Sequence, residues 1–304
     1  MLPTKATAGV RTVYLGTSEF AAAILSRLAG SPHRPELVIT RPDRPRGRGR
    51  RLAAPPVADA ARELGIELYQ PESVNDEAAR ARIAAVGPEA VCVCAFGALI
   101  KEPLLSEHPL VNVHPSLLPR WRGAAPVERA IMAGDQITGV SIMRLTAGLD
   151  SGPVCLQSSE PIEPGDTYGT LAQRLQALGA ELLVDALGSS PPCVEQDDAD
   201  ATYAEKITAD DRRLDPERTA PELERVVRAL HPHIGAHVAL ADGSLLGVRE
   251  ARALSEPGPP NGSLSLAGAR PVLGCREGSL ELIVVVPPGR RPMPAEDFLR
   301  GYRS

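Results

Sequence analysis

The segment Val111-Asn-Val-His-Pro-Ser-Leu-Leu-Pro-Arg-Trp-Arg-Gly-Ala-Ala-Pro126 carries the residues best suited to chemistry in this chain. Asn112 and His114 stand two residues apart, so on a β-strand both side chains leave the same face and can be aimed at one reacting atom. Gly148-Leu-Asp-Ser-Gly152 adds a carboxylate on a glycine-bounded loop, where a flexible backbone can carry Asp150 over the neighbouring strand end. An Asn-x-His pair is not diagnostic by itself. The elements around these residues must bring them together.

Those elements follow from periodicity. Through the first two thirds of the chain, short apolar runs alternate with segments of helical period, the pattern of an α/β chain whose parallel sheet is wrapped by helices. Residues 10–16, 36–40, 66–69, 90–96 and 110–114 read as strands, with 90–96 apolar throughout, as a strand covered on both faces must be. Asn112 and His114 then fall toward the end of a parallel strand, where such sheets open their ligand crevice. Helices are expected at 20–29, at 56–64, where Val57, Ala60, Ala61 and Leu64 fall on one face, and at 126–133, with Pro126 at the first helical position. Strands follow at 140–145 and 154–157. A helix at 167–187 is marked by leucines at 171, 175, 178 and 182 behind an Asp166-Thr167 start.

Gly188-Ser-Ser-Pro-Pro192 and the acidic residues 195–200 break this rhythm. The expected organisation is a first domain over 1–188, a linker over 189–207 and a second domain over 208–304. The last of these opens with a helix at 220–230 and turns strand-like, with Asp242-Gly243 as a hairpin signal between two apolar runs. Pro257 to Gly262 marks another turn, and 294–302 can close the chain as a helix.

At 304 residues, two domains are the natural division. The net charge of -5 argues against a protein coated with basic surface. Locally the sign reverses: arginines at 41, 44, 46, 48, 50 and 51, set among Pro42, Pro45, Gly47 and Gly49, read as a basic loop suited to phosphate. Five cysteines, at 92, 94, 155, 193 and 275, form no C-x-x-C pair and fit reduced thiols of a cytoplasmic protein. No apolar run approaches the roughly 20 residues of a membrane span, so no membrane partner is expected.

Several chemistries lack their motif. The first strand runs into Gly16-Thr-Ser-Glu-Phe-Ala21 without G-x-G-x-x-G, and neither a phosphate-binding Gly-Lys loop nor a G-x-S-x-G elbow occurs. His231, His233 and His237 have no evident cysteine or carboxylate partner, and Asp197, Asp198 and Asp200 read as a solvated linker, so no metal is expected.

Asn112-Val-His114, Ser116-Leu-Leu-Pro119, Arg122-Gly-Ala-Ala-Pro126 and Gly148-Leu-Asp-Ser-Gly152 together resemble the formyltransferases that use 10-formyltetrahydrofolate, most closely the methionyl-tRNA formyltransferases. The similarity extends to Gly16-Thr17, Pro42-Asp-Arg-Pro45, Gly47-Arg-Gly49, Gln70-Pro71, Ala95-Phe-Gly97 and Tyr203-Ala-Glu-Lys206. It implies a Rossmann-like catalytic domain followed by a smaller OB-like β-barrel, with the folate's formyl group passed to the amine of initiator methionyl-tRNA by a monomer. It further implies that Asn112 and His114 steady the oxyanion while Asp150 orients the imidazole and helps remove the amine proton. Folate would lie against Phe96, Gly97, Leu99, Ser116, Leu117, Leu118 and Pro119. Arg44, Arg46, Arg48, Arg50, Arg51 and Lys206 would grip the tRNA, with the barrel assisting.

Two rivals share the folate half. A glycinamide ribonucleotide formyltransferase would stop after the first domain, and an aminosugar-nucleotide formyltransferase has no use for the arginine segment. The chain departs from the family pattern at Ser18, where proline is frequent, and at Pro115, where some members have glycine.

Overall fold

The computed structural model describes residues 9–46, 51–256 and 258–302. The chain divides into two compact units, the first comprising Met1–Gly123, Thr138–Glu160 and Ala172–Tyr203 and the second Ala124–Ile137, Pro161–Leu171 and Ala204–Ser304.

The first unit is built on a seven-stranded sheet in the order Val154–Pro161, Ile137–Arg144, Leu110–His114, Ala90–Cys94, Thr12–Gly16, Pro35–Ile39, Glu67–Tyr69. The last five run parallel, and Ile137–Arg144 is antiparallel to Leu110–His114. Thr12–Gly16 and Ala90–Cys94 are buried along their whole length, which is why they read as unbroken apolar runs. One face of the sheet packs Val13, Leu15, Val91, Val93 and Leu110 against Ile83, Phe96 and Leu104. The other is covered by the helices Glu19–Ala29 and Tyr168–Ser189. The latter lies close to the sheet at Gly179, where a Cβ would stand 3.0 Å from the Val113 side chain. Leu171, Leu175, Leu183 and Leu187 form its buried stripe, while Leu178 and Leu182 are half-buried.

Ser18 caps the helix Glu19–Ala29, its Oγ accepting the Ala21 N–H at 3.2 Å. The departure from proline there is therefore a helix-starting residue.

Three local features differ from the sequence reading. A helix at Glu77–Val86 was not anticipated; its apolar residues are mostly alanine, and only Ala79 and Ile83 are buried, so it has little amphipathic signal. The arginine segment is not wholly irregular: Arg44–Arg46 pairs antiparallel with Arg51–Ala53. Pro45 stands opposite Leu52, and alternation along an antiparallel ladder lets one such position go without an N–H. Cys155 and Cys193 form a disulfide rather than remaining thiols. Val154 and Val194 exchange both backbone hydrogen bonds, at 2.8 and 2.9 Å, so the next residues across the bridge are these two cysteines. Cys92, Cys94 and Cys275 are free and buried.

The second unit is a curled antiparallel half-barrel in the order Ala236–Ala239, Leu245–Leu254, Ser279–Val286, Val272–Gly274, Leu264–Ser265, with Met293–Pro294 also pairing along Ser279–Val286. Ser244 donates its N–H to Asp242 Oδ1 at 2.9 Å in the expected hairpin turn. Irregular pairing around Glu250 bends the long hairpin. The helix Ala220–Ala229 starts from a Thr219/Glu222 capping box and contributes Leu223, Val226 and Val227 to a core shared with Leu246, Val248, Leu280 and Leu282. The helix Ala295–Tyr302 closes it with Phe298 and Leu299. No helix among the described residues is long and apolar enough to cross a membrane.

Candidate active site

Asn112 and His114 lie at the end of Leu110–His114 and are 8% and 4% exposed. Leu110, Asn112 and His114 share one face of their strand, opposite to Val113. Asp150 reaches them from the loop after Ile137–Arg144, with its backbone in the left-handed region at φ +46°. Its Oδ2 accepts the Gly123 N–H at 2.9 Å, and its Oδ1 lies 3.5 Å from Asn112 Nδ2. His114 Nδ1 is 3.7 Å from Oδ2. The structure thus brings the three side chains together within the first unit.

The imidazole's orientation can be read from its other edge. His114 Nε2 is 2.8 Å from the Trp121 carbonyl oxygen. A carbonyl only accepts, so Nε2 carries a hydrogen and donates it there. Nδ1 is left as the nitrogen turned toward Asp150. A proton placed between Nδ1 and Oδ2 converts a contact between two acceptors into a charge-assisted hydrogen bond.

The loop holding Ser116, Leu117, Leu118 and Pro119 is fixed by polar side chains that the sequence reading did not single out. Ser141, paired opposite His114 across the sheet, donates from Oγ to Ser116 O (2.6 Å) and accepts from the Leu118 N–H (3.1 Å). Gln157 Nε2 donates to Leu118 O at 2.9 Å and to Ser141 Oγ at 2.8 Å. Ser116 and Leu118 are buried, with Ser116 Oγ donating to Arg120 O, while Leu117 and Pro119 are half-buried.

The other folate candidates sit on the loop after Ala90–Cys94, the strand adjacent to Leu110–His114. Both loops leave the same end of neighbouring parallel strands. The Phe96 ring is buried in the core and its carbonyl accepts from Thr17 Oγ1 at 2.7 Å. Gly97 is exposed and left-handed at φ +71°. Leu99 is 68% exposed, with its carbonyl held by Asn75 Nδ2 at 2.8 Å. Side chains of Phe96 and Ser116 are therefore engaged within the fold, whereas Gly97 and Leu99 lie open.

Of the cationic candidates, Arg44 is exposed on the short ribbon, and the backbones of Arg46 and Arg51 are partners in its register. Arg48 and Arg50 lie outside the described residues. Lys206 is exposed in the second unit. His233 does have a carboxylate beside it, Glu128 at 2.9 Å, and stacks on Tyr168 with ring centres 3.8 Å apart. Glu128 precedes it by 105 positions, too far for local spacing to reveal. Among the described residues no three His, Cys, Asp or Glu side chains converge as metal ligands.

A parallel-sheet unit carrying an amide, an imidazole and a carboxylate at one strand end, and a separate antiparallel unit, are matched by two family models: formyl transferase over residues 10–187 and formyl transferase, C-terminal domain, over 206–303. The chain belongs to the formyl transferase family. Within it, the methionyl-tRNA formyltransferase of Dechloromonas aromatica is 41% identical over 296 residues, covering 96% of both chains. The protein of the same name from Ectopseudomonas mendocina is 42% identical over 301 residues, covering 97% of this chain and 96% of its own.

Two solved structures share the fold at low identity. HypX from Aquifex aeolicus in complex with tetrahydrofolic acid has a TM-score of 0.66 at 17% identity, over 95% of this chain and 47% of that one. An N-formyltransferase from Helicobacter canadensis, in complex with folinic acid and dTDP-3-aminofucose, has a TM-score of 0.66 at 15% identity, over 90% of this chain and 98% of that one.

Proposed function

We propose that this protein transfers the formyl group of 10-formyltetrahydrofolate to the free amine of initiator methionyl-tRNA, giving formylmethionyl-tRNA for translation initiation. The observation that carries this is the convergence of Asn112, His114 and Asp150 in a chain about 41% identical, along nearly its full length, to methionyl-tRNA formyltransferases. We read it as a cytoplasmic monomer that needs no metal.

The neutral amine attacks the formyl carbon, and the carbonyl oxygen becomes an oxyanion. Asn112 Nδ2 has two N–H groups, and the long contact to Asp150 leaves one for that oxygen. Such a donor contributes about 3 kcal/mol in the transition state. Because Nε2–H of His114 is committed to Trp121 O, the proton released by the amine goes to Nδ1, where Asp150 balances the imidazolium. Collapse of the tetrahedral state then breaks the bond from carbon to the folate nitrogen, which receives a proton as tetrahydrofolate leaves.

The loops around Phe96, Gly97 and Leu99 and around Ser116, Leu117, Leu118 and Pro119 would hold the folate, chiefly through backbone groups. Arg44, Arg46, Arg48, Arg50, Arg51 and Lys206 would meet tRNA phosphates. An aminosugar nucleotide is the alternative acceptor, and the cationic ribbon disfavours it. Incubation with 10-formyltetrahydrofolate and charged initiator tRNA, followed by deacylation and mass analysis, should release formylmethionine. Recovery of methionine alone would refute the assignment.

A further inference from the structure

Gln196 reaches back to the loop that carries Asp150. Its Nε2 donates to the carbonyl oxygens of Asp150 (2.8 Å) and Gly152 (2.7 Å), and its Oε1 accepts from Arg122 Nε at 3.0 Å. Carbonyls only accept and a guanidinium only donates, so this amide has a single orientation that satisfies its partners. Arg122 is itself 3% exposed. A buried guanidinium requires partners. Beyond Gln196, its Nη2 stands 2.8 Å from Asp198 Oδ1, an ion-pair contact outside hydrogen-bond alignment.

The same short segment serves His114, Asp150 and Gln196. Trp121 supplies the carbonyl that takes the His114 N–H, Gly123 supplies the N–H that Asp150 accepts, and Arg122, between them, orients Gln196. Thr202 holds that segment, its Oγ accepting the Trp121 N–H and its carbonyl the Arg122 N–H, both at 2.9 Å. Asp150 needs such support because its left-handed backbone is unfavourable for a residue with a side chain. With the carbonyls of residues 150 and 152 bound by one amide, the backbone on the C-terminal side of Asp150 is held in place.

We propose that Gln196, oriented by Arg122, is a positioning residue for Asp150. It fixes the backbone of residues 150–152 so that the carboxylate stands opposite His114 Nδ1 during formyl transfer, touching no substrate itself. The inference rests on the proposed function for its kinetic readout.

Two substitutions test it in the full chain. Gln196→Ala removes both donors; Gln196→Glu keeps the Arg122 contact but sets a carboxylate against two carbonyl oxygens. Displacing Asp150 by a fraction of an ångström to 1 Å should lower kcat about 10- to 100-fold, more in the Glu variant, with KM for folate and tRNA held within about twofold. Gln196→Ala leaves the buried Arg122 Nε without its partner, so the melting temperature should fall by a few degrees while the protein stays folded under assay conditions.

A second readout needs no turnover. The NMR chemical shifts of the His114 ring at fixed pH should move in Gln196→Ala toward those of Asp150→Asn, because in both the carboxylate no longer faces Nδ1. Parental kcat in Gln196→Ala, or a fall in kcat with the His114 ring shifts unmoved, overturns the proposal. If the parent protein formylates no tRNA, the proposed function fails, and the His114 ring shifts still decide the role of Gln196.

Discussion

Replacing Gly152 by alanine should remove most of the activity without unfolding the protein. A Cβ at that position would sit 2.0 Å from the Arg144 carbonyl oxygen, 3.2 Å from its carbonyl carbon and 3.0 Å from Thr146 Cγ2. The strand side of this clash does not yield: Arg144 pairs with Val111 in the sheet, and its N–H donates to Pro153 O at 2.9 Å. The loop must therefore move, by roughly 1.4 Å or more, to restore an ordinary contact distance. Asp150 lies only two residues upstream, and its 2.9 Å bond to Gly123 N–H has no slack for such a shift. A displacement of that size at a catalytic group costs about 100-fold in rate, or roughly 2.7 kcal/mol of barrier. Overpacking should cost a further 1 to 3 kcal/mol or so of stability, visible as a lower melting temperature. The assay is kcat for formyl transfer at saturating folate and tRNA, beside a melt of the same preparation. A folded Gly152→Ala protein within about threefold of parental kcat would refute the reasoning that the loop's position sets the rate.

Neutralising Arg44, Arg46 and Arg48 together should weaken tRNA use and flatten the dependence of log affinity on log salt by about 2 to 3, one phosphate each; an unchanged slope would remove this segment from the interface. Thiol titration in denaturant without reductant should find three groups, Cys92, Cys94 and Cys275, rising to five after reduction, whereas five without reductant would contradict the Cys155–Cys193 bond. In the native protein, burial pushes the Cys92 and Cys94 thiols up to about 12, so alkylation at pH 8 should leave both unmodified. In the second unit, hydrogen bonding to Arg129 in the first place, helped by Thr208, holds Asp211 down at about 2. Its depressed folded value means the stabilisation, about 1 to 2 kcal/mol, is complete above the unfolded value near 4 and fades as pH falls toward 2. The gap in melting temperature between parent and Asp211→Asn should close over that range, and a gap independent of pH would assign it to another cause.

The convergence of the proposed catalytic trio was legible because each member carries a local signal. Period-two geometry puts Asn112 and His114 on one face, and the glycines around Asp150 mark a loop able to fold over them. What fixes these groups was not legible. The Trp121 carbonyl and Gly123 N–H are backbone atoms, which every residue possesses, so no sequence pattern marks them as the partners of His114 and Asp150. Gln196 lies 46 positions from Asp150, in a stretch whose acidic composition reads as solvated linker. Cys155 and Cys193 are 38 positions apart and meet only because an isolated bridge aligns their neighbours. In the sheet, long apolar runs announced the central strands, whereas the alanine-rich helix Glu77–Val86 buries too little to show a period. The second unit also draws in 124–137 and 161–171, a grouping that breaks in composition along the chain cannot express.

If Asn112, His114 and Asp150 transfer a formyl group to the amine of methionyl-tRNA, the choice of acceptor follows. Initial rates would be measured with 10-formyltetrahydrofolate and either charged initiator tRNA or an aminosugar nucleotide, using the parent protein and Asp150→Ala. Formylmethionine is expected from the tRNA, with no formylated sugar and a loss of about 100-fold or more in Asp150→Ala with folding intact. Formylated sugar beside unreacted methionyl-tRNA, or an undiminished rate in Asp150→Ala, would contradict it.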